Sequence, residues 1–179
     1  MKIRTLTTVA MMAALIAIMA QIAFPIGPIP ITLQTAALFF AVCIFDSRRA
    51  ALSFAVYILL GTIGLPVFAA GKAGPAVLLG PTGGFMIGFI LAAAIGAALL
   101  RNKKWQSLKY CYIATITAAV ICWVCGGVWF AYISSVPLSV SFATSVVPFI
   151  PIDLAKVAIF TPCGHAVHRA LHAQFPKDF

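Results

Sequence analysis

The chain has 179 residues, of which 63% are hydrophobic and only 8% charged, with 12 Lys and Arg against three acids, all Asp. A chain this short cannot hide so much apolar side chain from water, because small domains bury only about 60–70% of their unfolded surface. Composition therefore excludes a soluble globular domain, a disordered chain and a disulfide scaffold. The net charge of +9 is no nucleic-acid signature either, since the basic residues stand in short clusters between apolar runs, as in cytoplasmic loops.

What remains is an all-α integral membrane protein. A span needs about 17–25 apolar residues, and six runs are expected to form one transmembrane domain over residues 1–179: 5–24, 31–45, 50–65, 84–100, 110–133 and 152–171. The first follows Lys2 and Arg4 and is longer than the apolar core of a secretory signal, about 7–15 residues. It pairs small residues four apart, Ala10 with Ala14 and Ala13 with Ala17. That spacing lets another backbone approach closely, from inside the bundle or from a docking partner. Pro25 to Thr32 alternates Pro and Ile and is expected to be extended and stiff. The second span is short and opens at Gln34, whose amide can both donate and accept. Short or Pro/Gly-interrupted spans point to transporter binding sites.

Arg48 and Arg49 divide the second span from the third, which carries Tyr57. The stretch from Val67 to Gly84 is long, Gly-rich and apolar. It is expected to fold back over the bundle and cover a pocket on the outer face, because non-helical backbone at membrane depth is tolerated only when buried in protein or lining a cavity. Phe24, Tyr57, Phe68 and Phe85 are expected to wall that pocket. Lys72, the only basic residue of the outer loops, is placed to meet an anion. In the fourth span Gly84, Gly88, Ala92 and Gly96 recur every four residues and mark a packing surface. The fifth follows Arg101, Lys103, Lys104 and Lys109 and carries Cys122-x-x-Cys125. No second pair accompanies that spacing, so the cysteines read as small hydrophobes.

The positive-inside rule sets the orientation. Lys2, Arg4, Arg48, Arg49, Arg101, Lys103, Lys104, Lys109, Arg169 and Lys177 all fall on one face if there are six spans, so both termini are expected in the cytoplasm. Trp105, Tyr110, Tyr112, Trp129 and Tyr132 are expected near the interfaces. Asp153 and Lys156 remain unexplained by topology. They open the last span three residues apart, on one helical face, and an ionisable group within a span is a functional candidate by default. The structural alternative is a salt bridge that only fixes the helix. Asp46 and Asp178 belong to the basic face, so no paired-carboxylate site is available. His165, His168 and His172 share a face of the last span, but no carboxylate completes a persuasive metal site, and none is expected. Pro162 should kink that span. Gly71-Lys72 is followed by Ala73, so there is no Walker A motif for ATP.

Four segments carry a family likeness: Gly27 to Thr35 (GPIPITLQT), Gly61 to Gly71 (GTIGLPVFAAG), Leu79 to Phe85 (LGPTGGF) and Pro148 to Lys156 (PFIPIDLAK). In order, and over nearly the whole chain, they resemble the BioY family, the biotin-binding S-components of energy-coupling-factor (ECF) transporters. The stretch from Arg101 to Val147 carries little of the likeness. Ile152 stands where the family usually has Gly, a bulkier residue at the start of the last helix.

The resemblance implies a six-helix S-component of a bacterial cytoplasmic membrane, not an enzyme, which takes biotin from outside under its first and third loops. It implies a transmembrane coupling subunit and two cytoplasmic ATPases as partners, with ATP used only by those partners and no cofactor in this chain. It also favours Ala10, Ala14 and Ala17 as a docking stripe. For the site, Asp153 would accept a ureido N–H, and Lys156 would donate to the ureido oxygen or hold Asp153. Gln34 would serve either role. Tyr57, Phe68, Phe85 and the turn through Thr82, Gly83 and Gly84 would enclose the ligand. Lys72, or N–H groups near Gly83 and Gly84, would receive the carboxylate tail. The competing classes are an S-component for another vitamin, an intramembrane enzyme using Asp153 and Lys156, and a purely structural or channel-forming bundle.

Overall fold

An apolar chain in an apolar solvent must satisfy its backbone hydrogen bonds internally, and helices do so within one segment. The computed structural model describes residues 3–25, 29–101 and 106–175. Lys2, Lys103, Lys104, Trp105, Lys177 and Asp178 lie outside the described residues, as do Gly27 and Pro28. Along the chain run α1 (Ile3–Gln21), β1 (Ala23–Phe24), β2 (Ile31–Thr32), α2 (Gln34–Ile44) and α3 (Ser47–Thr62). A short 3-10 turn (Ala69–Gly71), α4 (Pro75–Leu79), α5 (Gly83–Leu99), α6 (Leu108–Ser134), α7 (Leu138–Ser145) and α8 (Ile150–Gln174) follow.

Local chemistry sets the breaks. Asp46 stops the chain between α2 and α3: its Oδ1 accepts from Arg49 N at 2.8 Å and its Oδ2 from Arg49 Nε at 2.7 Å, which caps free N–H groups at the helix start. Ala23 lies opposite Thr32 and Phe24 opposite Ile31 in a short antiparallel pair. Pro162 lies inside α8 and removes the N–H that would reach the Ala158 carbonyl. Tyr112 Oη donates to that carbonyl instead, at 3.4 Å. Nearby, Thr115 and Thr161 pair their buried hydroxyls at 3.0 Å.

Three stretches are long and apolar enough to cross a membrane by length and composition: α1, α6, and Leu138–Gln174, which joins α7 to α8. The outward faces are apolar as well. Ile87, Leu91, Ile95 and Leu99 on α5, and Ile113, Ile116, Val120, Val124 and Val128 on α6, are all exposed. Exposed contiguous apolar surface on this scale is unsuited to water; this is a multi-pass membrane protein.

The core forms around α2, which packs on α8, α5, α1 and α6 and buries nearly every residue from Gln34 to Ile44. Eleven residues give a helix only about 16 Å long, half of the about 30 Å hydrocarbon layer. Its N-terminus therefore ends inside the bundle rather than at its rim. The small-residue stripe of α5 is internal packing: Gly84, Gly88, Ala92 and Gly96 are all buried. A methyl group at Gly96 would lie 3.1 Å from Ala118 Cβ on α6. On α1 the small residues divide. Ala13 and Ala20 are buried, whereas Ala10 and Ala14 are exposed and Ala17 is half-buried.

Candidate functional site

The N-terminal end of α2 opens into a cavity of about 360 Å3. That is the lower end of the about 300–1,000 Å3 common for small-molecule sites. Its floor is the start of α2 and α8, its walls are Phe85, Met86 and Phe89 of α5 and Cys122 and Trp123 of α6, and its roof is Ala76, Val77, Gly80 and Pro81. The expected fold-back of the Val67–Gly84 stretch is what makes that roof. The roof is fastened at two points. Trp129 Nε1 donates to Gly80 O at 2.9 Å. Gln21 Nε2, at the end of α1, lies 3.3 Å from Val67 O and 3.4 Å from Phe68 O.

The polar groups converge on Asp153, which is only 2% exposed. Its Oδ1 accepts from Thr35 Oγ1 at 2.8 Å and from Lys156 Nζ at 2.9 Å, and its Oδ2 accepts from Trp123 Nε1 at 2.9 Å. Lys156 spends all three of its N–H bonds inside this group: on Asp153 Oδ1, on Thr35 Oγ1 at 2.8 Å and on the Thr32 carbonyl at 2.8 Å. A buried ion pair is tolerated when hydrogen bonds satisfy its remaining valences, as they do here for Lys156 and for three acceptor positions of Asp153. A carboxylate offers about four acceptor positions, so the fourth, on Oδ2, is left for a ligand donor. Gln34 is set similarly. Its Oε1 accepts from Thr32 Oγ1 at 2.8 Å and its Nε2 donates to Tyr57 Oη at 2.6 Å. Its second amide hydrogen has no partner among the described residues.

Six of the residues singled out from sequence line this cavity: Asp153, Lys156, Gln34, Lys72, Thr82 and Phe85. Four others do not. Phe68 is wholly buried behind the wall, edge-on to Tyr57 at 5.6 Å, so both rings support the site from outside it. Gly83 and Gly84 start α5 and press against Leu78 and Trp129. The Gly83 N–H already donates to Gly80 O at 3.1 Å, so it is not open to a carboxylate. Phe24 is exposed on β1. Ile152 is half-buried, and α8 begins two residues before it, which leaves Asp153 in the first turn.

Thr35 and Trp123 are the residues that sequence reasoning missed. Trp123 had a signal: indole rings favour membrane interfaces, and this one sits in the middle of the longest apolar helix, where its N–H needs a buried acceptor. Thr35 had none beyond lying next to Gln34. Of the three histidines, His168 and His172 stack with ring centroids 6.2 Å apart, and among the described residues they join no group that could hold a metal ion. His165 Nδ1 is 3.6 Å from Cys111 Sγ, and His168 Nδ1 is 2.9 Å from the Ile44 carbonyl.

Comparison with known proteins covers nearly the whole chain. A sequence model described as the BioY family matches residues 1–173. The chain is 34% identical over 170 residues to "Biotin transporter BioY2" of Lactococcus lactis, covering 95% of this chain and 93% of that protein. It is 36% identical over 156 residues to "Biotin transporter BioY" of Thermotoga maritima, covering 87% and 90%. Its fold matches a crystal structure of the S-component for biotin from an ECF-type ABC transporter with a TM-score of 0.86 and 28% identity, over 94% of this chain and 92% of that one.

Proposed function

We propose that this chain, which belongs to the BioY family, is the substrate-capturing subunit of a biotin uptake system in a bacterial cytoplasmic membrane. One observation carries the assignment: a buried, hydrogen-bonded Asp153–Lys156 pair that keeps one acceptor position open at the floor of a largely apolar cavity. Biotin has two ureido N–H donors, one ureido carbonyl, an apolar bicycle and a carboxylate tail. Asp153 Oδ2 accepts one N–H, and the unpaired amide hydrogen of Gln34 donates to the ureido oxygen. Lys156, with its protons committed, neutralises and orients Asp153 rather than touching the ligand. Phe85, Met86 and Phe89 enclose the bicycle, and Lys72 at the mouth meets the tail.

Orientation follows the charges. Arg4, Arg48, Arg49 and Arg101 gather at one end of the bundle, while Lys72 stands at the cavity on the other. With six spans, the positive-inside rule applied to these charges supports cytoplasmic termini and a cavity that opens outward. Energy would come from partners, a membrane coupling subunit and two ATPases, docked on the exposed Ala10–Ala14 edge of α1.

The deciding experiment is to purify the protein in detergent, denature it and identify the released small molecule by mass spectrometry. Unmodified biotin supports the proposal. Another vitamin, or no saturable biotin binding on addition, overturns it. Two narrower outcomes are expected. Lys72→Gln weakens biotin binding by no more than about fivefold, the value of an exposed ion pair, and leaves the affinity for biotin amide unchanged; calorimetry with both ligands checks this. Ala10→Trp leaves biotin binding intact and lowers uptake into vesicles containing the partners by about tenfold or more, the effect of about 1–3 kcal/mol of overpacking at an interface.

A further inference from the structure

Lys156 lines the ligand cavity yet offers it no proton. Its three N–H bonds go to Asp153 Oδ1, Thr35 Oγ1 and the Thr32 carbonyl, at 2.9, 2.8 and 2.8 Å. A lysine ammonium can only donate, so Thr35 Oγ1 is the acceptor there. Thr35 passes its own proton to the same carboxylate oxygen, Oδ1, at 2.8 Å. The cation is therefore held on the Oδ1 side. Oδ2, which takes Trp123 Nε1 at 2.9 Å, keeps the open position. Both charges are buried, Lys156 at 6% and Asp153 at 2% exposure, so salt and water screen them little from each other or from a ligand.

A neutral N–H needs only an acceptor, and an amide oxygen would supply one. A carboxylate makes the stronger bond. Alone in a largely apolar cavity, however, a carboxylate favours a cation over a neutral donor, because a buried charge requires a counter-charge. With Lys156 beside it that requirement is already met. From this we infer that Lys156 is the specificity-determining residue of the site: its charge restricts the head group to an uncharged N–H donor of the cyclic urea type and excludes cyclic guanidinium compounds of the same shape. The inference rests on Asp153 Oδ2 being the acceptor for the ligand, as proposed above. The other charge of the cavity agrees with it. Asp153 and Lys156 cancel and Lys72 remains, so the complement is a neutral head with an anionic tail. Discrimination of this kind comes from a built-in repulsion as much as from an attraction.

The test compares biotin with 2-iminobiotin, in which a guanidinium, charged at pH 7, replaces the urea. Calorimetry on the full chain in detergent, with competition against biotin where binding is weak, gives the ratio of the two affinities. The parent should prefer biotin by about a hundredfold or more, the effect of a like charge at close quarters. Lys156→Met should lower that ratio by about tenfold or more, and 2-iminobiotin should raise its melting temperature more than biotin does. Lost packing alone would weaken both ligands and leave their ratio as it was. Gln34 faces both ligands in every protein compared, so its share of the preference cancels. Should Lys156→Met not fold, Asp153→Asn with and without Lys156→Met reads the same charge, and the ratio should again fall when Lys156 is removed. Lys72→Gln removes one charge at the tail instead, and should leave the ratio within about twofold. The inference is overturned if the parent binds both ligands alike, or if the ratio does not fall when Lys156 is removed. An equal fall in Lys72→Gln overturns it too, since the exclusion would then belong to the net charge of the cavity. Parental biotin affinity in Asp153→Asn with Lys156→Met is a different result: it removes Asp153 as the acceptor for the ligand, and so separates failure of the site assignment from failure of this inference.

Discussion

Replacing Asp153 by Asn is expected to reduce biotin affinity by about ten- to hundredfold, the value of a charge-assisted hydrogen bond of about 1.5–3 kcal/mol. The substitution keeps the shape and removes the charge. It turns one of two acceptor oxygens into a donor, facing either Trp123 and the ligand or Lys156 and Thr35. The Lys156 ammonium, only 6% exposed, then has no counter-charge, and breaking a buried pair from one side costs about 3–5 kcal/mol. Loss of affinity therefore comes with loss of thermal stability. A second substitution separates the two. Asp153→Asn with Lys156→Met removes both charges, and stability should return close to the parent because a buried pair replaced whole is about neutral. Biotin affinity should stay low, since an amide oxygen at that position accepts without the charge that strengthens the bond. Calorimetry and detergent thermal melts of the three proteins decide the matter. Parental affinity in the double variant would mean that the pair only braces α8.

That pair was legible in the sequence because charge is scarce in an apolar chain, and each charge must sit at a membrane face or have a partner. Lys72 stood out on the same ground, Gln34 for the two-way chemistry of its amide and Thr82 through the family likeness, and all three line the cavity. Aromatic rings were harder to place. Sequence position gives the depth of Phe68 and Tyr57 but not which side of the loop backbone they take. Phe68 turned inward because Gly61 leaves room for its ring, where any side chain would collide with it. The uncharged stretch after α6, outside the six expected spans, contains α7, held by Ser141 Oγ donating to Gly127 O at 2.6 Å. Short helices tied by one hydroxyl leave almost no periodic trace. The segments that carry the family likeness supply the floor and roof. One wall comes from α6, in the region with little of that likeness, which is why Trp123 was missed.

The second large effect is expected from the smallest possible change, one methyl group at Gly84. A Cβ there would overlap Trp129 Cβ and sit 2.6 Å from the Cys125 carbonyl. A carbonyl within a helix cannot turn aside, so α5 and α6 must part. Gly88→Ala meets a milder obstacle, 3.0 Å to Cys125 Cβ and 3.3 Å to Cys122 Cα. Overpacking costs about 1–3 kcal/mol, and the order expected is Gly84→Ala well above Gly88→Ala, with Ala98→Leu on the exposed face of α5 near zero. Thermal melts in one detergent give that ranking. Function should follow the same order for a geometric reason. Trp129 holds the roof through Gly80, and Trp123, two helical turns earlier on α6, holds Asp153. Moving α6 away from α5 loosens both at once. Gly84→Ala should therefore speed biotin dissociation as well as lower the melting temperature, whereas a substitution that only weakened the fold would leave the dissociation rate of the folded fraction unchanged. Stopped-flow release of biotin at a temperature where both proteins are folded distinguishes the two. An unchanged rate would show that the α5–α6 seam holds the bundle together but plays no part in keeping the cavity closed.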